Sequence, residues 1–154
     1  MGRVVTKLKI WNKTDLDNAR EGSIPESEVR QVEIEALVDT GASQLVLPED
    51  VVRALGVPHE GTRPARDARG LIVDVPWVGG LFIEIMGRTM TCDALVIPVG
   101  ATPLIGQIPL EGCDLVVDPK SQEVRPNPAH PDMPIFDLMP LEAAQVPHTS
   151  NLTP

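Results

Sequence analysis

Hydrophobic and polar positions alternate over most of the first 125 residues, and the period of two predicts strands. Val4 to Trp11 reads as a first strand. A polar connection through Asp15, Asn18, Gly22 and Pro25 is expected to follow it as a solvated loop. Val32, Ile34, Ala36 and Val38 then alternate with Glu33, Glu35 and Leu37 and deliver the chain to Asp39 at the end of a half-buried strand. Pro48 to Gly56 has Pro at its start, acids in its first turn and Gly past its end, the pattern of a short helix. The charged, small residues from Gly61 to Gly70, followed by Leu71 to Val75, predict a hairpin projecting from the body. Leu81 to Met86 and Thr89 to Pro98 pair across a tight Gly87-Arg88 turn. A second glycine turn, Pro103-Leu104-Ile105-Gly106, leads into a short turn or helix over Gln107 to Glu111. Asp114 to Asp118 and Gln122 to Val124 close as a last pair.

After Arg125 the pattern stops. Seven prolines fall from Pro126 to Pro154, so the division is a domain over 1–125 and a Pro-rich flexible tail over 126–154. Met133 to Met139 is the apolar island in that tail: a docking strand, a peptide lying in a cleft, or a linker.

Composition narrows the function. A chain of 154 residues suits one domain with a real core, and with 3% aromatics and no tyrosine that core must be aliphatic. Base stacking on nucleic acid is disfavoured, and a net charge of −9 disfavours phosphate backbones and anionic membranes. No run approaches the roughly 20 apolar residues of a membrane span, and no signal-peptide core is evident, so the expected location is cytoplasmic. Cys92 and Cys113 have no metal-ligand spacing, His59, His130 and His148 are scattered, and the acids are dispersed; no metal or other cofactor is expected.

The candidate chemistry lies in Val38-Asp39-Thr40-Gly41-Ala42, a carboxylate on a tight turn between two apolar runs. Such a carboxylate must be hydrogen-bonded, paired or used. Together with Leu104-Ile105-Gly106, about 65 residues further on, the turn resembles the active site of retropepsin-like aspartic peptidases, over about residues 4 to 125.

The resemblance implies an all-β, closed, barrel-like fold with one or two short helices, forming half of a homodimeric active site. Asp39 would be the catalytic residue, with Thr40, Gly41 and Ala42 and the companion Leu104, Ile105 and Gly106 as its support. Thr40 would hydrogen-bond across the dimer, and Gly41 would leave room for substrate. Residues from about Thr62 to Val75, with Arg69, Gly70, Leu71 and Ile72, would form a flap over a bound polypeptide. Peptide hydrolysis of this kind needs two carboxylates and the chain has one such turn, so a second copy is expected to supply the other. Two places common to viral members differ here: Ser43 and Gln107 replace an acid and an arginine, and a neutral hydrogen bond is expected in place of their ion pair. The flap is also more charged than viral ones. The alternative function is a non-catalytic, peptidase-like module that dimerises and binds extended peptide.

Overall fold

A computed structural model describes residues 3–138. Nine strands, β1 (Val5–Asn12), β2 (Gln31–Val38), β3 (Leu45–Pro48), β4 (His59–Arg66), β5 (Ile72–Ile85), β6 (Arg88–Ile97), β7 (Leu104–Ile105), β8 (Leu115–Asp118) and β9 (Glu123–Pro126), dominate the regular structure. Three short helices accompany the strands: α1 (Lys13–Arg20), α2 (Glu49–Leu55) and α3 (Gln107–Gly112).

Seven strands form one sheet in the order β1-β2-β7-β3-β6-β5-β4, and β1 also pairs with β5. That extra pairing closes six strands into a ring and leaves β4 outside it, attached to β5 alone. Within the ring the period of two sorts the side chains: Leu8 and Ile10 of β1, Ala36 of β2, and Leu81, Ile83 and Ile85 of β5 are fully buried. All four residues of β3 are buried, because β6 lies parallel on one side and β7 antiparallel on the other. The core is aliphatic, as the composition requires.

α2 ends as its sequence predicts, with Gly56 in the left-handed region at φ 68°. The β5–β6 turn uses Met86 and Gly87, at φ 52° and 78°, the pair of left-handed residues that a two-residue hairpin favours. β5 departs from expectation by running unbroken from Ile72 to Ile85. A bulge between Val78 and Leu81, at Gly79 and Gly80, lets one strand serve both the projecting hairpin and the ring.

The segment expected as a solvated loop folds instead as α1. Asn12 caps it by accepting from the Asp15 amide at 3.0 Å, and the Asn12 side chain also donates to the Leu55 carbonyl at 2.9 Å. Asp15 accepts from Arg30 through Nε at 2.7 Å and Nη2 at 3.0 Å. The side-chain hydrogen bond from Arg30, ahead of the opposing effect of burial, holds the Asp15 carboxyl below its ordinary value.

β8 and β9 form a separate two-stranded sheet. Beyond them, residues 127–135 are held to Asp114, whose left-handed backbone (φ 53°) directs its carboxylate to Asn127 Nδ2 at 3.0 Å, His130 Nδ1 at 2.7 Å and the Ile135 amide at 3.0 Å. Buried Arg88 donates to the carbonyls of Asp114 and His130 at 2.7 and 2.6 Å. Ile135, Phe136 and Leu138 are exposed; Met139 and the rest of the expected tail lie outside the described residues. Both cysteines are free, and burial pushes Cys113 up to about 11 and Cys92 to about 12.

Candidate active site

The turn that follows β2 is built by three segments that meet at Asp39. β7 lies between β2 and β3, parallel to the first through Leu37↔Leu104 and Val38↔Ile105, and antiparallel to the second through Leu45↔Ile105 and Val46↔Leu104. The Asp39 amide donates to the Ile105 carbonyl at 3.0 Å, which fixes the backbone on which the carboxylate stands. Ala42 N closes the turn onto the Asp39 carbonyl at 3.0 Å.

Gly106 sits underneath. Its amide donates to Gln44 O at 3.1 Å, and a Cβ there would stand 2.5 Å from Gln44 O and 2.6 Å from Ala42 O. Only glycine permits that approach. α3 then starts against the same turn: Gln107 N donates to Ala42 O and Ile108 N to Ser43 O, both at 2.9 Å. The Gln107 side chain donates to the Thr40 carbonyl at 2.8 Å. The neutral bond expected between Ser43 and Gln107 is replaced by this one to the Thr40 backbone, and Ser43 contributes its carbonyl to Ile108 instead.

Asp39 is half-buried at the floor of a cleft of about 730 Å³. Gly41 N donates to Asp39 Oδ1 at 2.9 Å, and Thr40 is exposed. Gly41, Ala42 and Leu104 line the cleft with Asp39, while Ile105 and Gly106 support it from behind.

The β4–β5 hairpin overhangs the cleft. Arg69, Gly70, Leu71 and Ile72 form its exposed tip, whereas the cleft is lined by the stretch from Arg63 to Ala68 together with Val73 and Val75. The cross-strand register explains which residues face inward, since Arg63 pairs with Val75 and Ala65 with Val73. Alternation along β5 marks Val73 and Val75 in the sequence, whereas the unbroken run from Arg63 to Ala68 carries no such mark. Ser43, Gln44, Val46, Leu95 and Ile97 complete the lining; Val46, Leu95 and Ile97 carry no local mark of that role, because β3 and β6 acquire it by pairing in parallel.

A second carboxylate, Asp67, also lines the cleft. It is occupied: Oδ1 accepts from the Arg69 and Leu71 amides at 2.9 and 3.0 Å, and Oδ2 accepts from Arg69 Nη2 at 2.7 Å. The Arg69 side chain, followed by the Leu71 amide, holds this carboxyl below its ordinary value. Asp67 therefore stays ionised as the brace of the hairpin tip and is a poor proton donor to a bound carbonyl. Among the described residues, no group of three or more His, Cys, Asp or Glu side chains stands where it could hold a metal ion. No helix among them is long and apolar enough to cross a membrane.

A protein-family model described as gag-polyprotein putative aspartyl protease matches residues 26–112. The match begins ahead of β2, contains the Asp39 turn, the hairpin and β7, and ends with α3. No curated protein matches the chain.

Proposed function

Since this chain belongs to the gag-polyprotein aspartyl protease family and has a retropepsin-like fold, we propose that it is an aspartic endopeptidase whose active site is completed by a second copy of itself. The observation that carries the reading is the placement of Asp39: one carboxylate, on a turn clamped by β7 and Gly106, at the floor of a cleft roofed by a hairpin. The other carboxylate in the cleft is committed to Arg69 and Leu71, so the second catalytic group comes from the Asp39 of the partner subunit.

In the dimer the two Asp39 carboxylates meet near the two-fold axis and share one proton, because like charges a few ångströms apart resist double ionisation. The ionised member takes a proton from water as the water's oxygen attacks the scissile carbonyl carbon. The protonated member gives its proton to the carbonyl oxygen. The tetrahedral intermediate then collapses and the C–N bond breaks: the leaving nitrogen takes the proton removed from water by the first carboxylate, and a hydroxyl proton of the intermediate returns to the second. Gly41 N holds Asp39 Oδ1 in place throughout, and Thr40 bonds across the dimer beneath the pair. Substrate lies extended, with its backbone along the turn and the hairpin.

Cleavage of a diverse peptide mixture, read by mass spectrometry at several pH values, tests this. Asp39→Asn is expected to lower turnover by at least about a hundredfold, as loss of a general acid–base group does, while leaving the fold intact. Equal cleavage by wild type and variant, or none by folded dimeric wild type, would overturn it.

A further inference from the structure

Beside the cleft lies a second cavity of about 610 Å³. Gln44 and Arg63 line both, so the two spaces meet across these side chains. Arg63 is held rigidly at the junction: its guanidinium lies 3.6 Å from the centroid of the Trp77 ring, and Nη2 reaches Asp93 Oδ2 at 3.4 Å. Stacking uses the face of the guanidinium and the long contact with Asp93 uses one N–H. Other donors along its edge stay available.

Lys13, in the first turn of α1, lines the far side of this cavity. It pairs with Asp17 one turn along the helix, a partly buried contact that uses one ammonium N–H and leaves the others for a ligand. In a chain of net charge −9 the cavity thus has two cations, Lys13 and Arg63, to one carboxylate, Asp93. The Cys92 thiol in its wall is kept neutral by burial and adds no anion. Met90 and Ile108 supply an apolar surface, and Ile108 is 49% exposed. A carboxylate on a short apolar stem matches this lining: the methylenes lie on Met90 and Ile108, and the charge lies between Lys13 and Arg63.

We propose that this cavity is a distal substrate pocket that selects an acidic side chain, glutamate above all, on the peptide lying in the cleft. The inference rests on the cleft being a peptide-binding site. Asp39 lines the cleft but not this second cavity, which is joined to it through Gln44 and Arg63, so the selected residue lies away from the scissile bond. Lysine meets like charge in the pocket, and an uncharged glutamine gains nothing from the two cations.

The test uses matched peptides carrying Glu, Gln, Leu or Lys at each position outward from a mapped cleavage site. Cleavage is measured with wild type, and binding by fluorescence anisotropy is measured with the Asp39→Asn protein. One distal position is expected to favour Glu over Gln by about fivefold in both, near the upper end for a partly exposed ion pair. Lys13→Gln is expected to bring that ratio close to one, and Lys13→Glu to turn the preference toward Lys. Cleavage with no Glu preference at any position, a preference for Leu, or a preference unchanged in Lys13→Gln overturns the pocket and leaves the peptidase reading standing. Glu-selective binding without turnover overturns the peptidase reading and leaves the pocket. Neither binding nor cleavage overturns both.

Discussion

Gly106 and Gly41 are both glycines beside one carboxylate, and physical chemistry assigns them different tasks. Gly106 has an ordinary φ of −89°, so its need for glycine comes from the Ala42 and Gln44 backbone pressed against it. Those atoms belong to the backbone of the active turn, just ahead of β3, and cannot move aside as a side-chain tip can. Gly106→Ala is expected to lower stability by about 1–3 kcal/mol, the usual cost of forcing volume into a packed site, seen as a lower Tm. At Gly41 a Cβ would meet only Asp39 Oδ1, at 3.1 Å. Gly41→Ala is expected to keep its stability within about 1 kcal/mol of wild type and to lose peptide cleavage, because what shifts is the carboxylate itself. Thermal melts and turnover measured on both variants check the contrast. Two variants that lose stability and activity in the same proportion would remove the distinction.

At the scale of elements, local pattern decided some segments and long-range contacts decided the rest. β2 was legible from Val32 to Val38, and α2 from Pro48 to Gly56, because alternation and caps are local signals. α1 was not. Its residues are mostly polar, and its stabilising contacts come from a distance: Asn12 reaches Leu55, 43 positions away, and Asp15 holds Arg30, 15 positions away. Asn12→Ala removes the cap and leaves the Leu55 carbonyl without its donor, so an expected loss of about 1–2 kcal/mol should appear as an earlier urea midpoint. An unchanged midpoint would mean that α1 stands on Asp15 alone. β7 has only two residues and no pattern of its own; it is defined by its pairing with β2 and β3. The hairpin was expected from composition, yet its cleft-facing residues follow from register. The segment after β9 shows the same dependence on distant partners. The Ile135 amide, ahead of the opposing effect of burial and the further bonds from Asn127 and His130, brings the Asp114 carboxyl down to about 2. A carboxyl lowered on folding contributes stability above its ordinary value of 3.8, and that contribution is lost as pH falls through the folded value. The Ile135 amide resonance should therefore titrate with a midpoint near 2. A midpoint at the ordinary carboxyl value would mean that the anchor is not formed in solution.

For the whole molecule, the closed ring and the single Asp-Thr-Gly turn pull in different directions. The ring is complete in one chain, whereas the chemistry proposed for it needs two copies of Asp39. Leu71 and Ile72 at the hairpin tip are 53% and 58% exposed, apolar surface at the place where two overhanging hairpins would meet over a substrate. Pairing of folded chains should then raise both the melting temperature and the turnover per chain as concentration rises, by mass action. Doping tests the stoichiometry directly. If wild type and Asp39→Asn are mixed in equal amounts and allowed to exchange, random pairing leaves about a quarter of the dimers with two intact carboxylates. Turnover per total protein should fall to that fraction of wild type if one Asp39 from each chain is essential. A fall to only about half would mean that each chain works alone, and the second carboxylate would have to be sought within the same cleft, where Asp67 is already bound to Arg69 and Leu71.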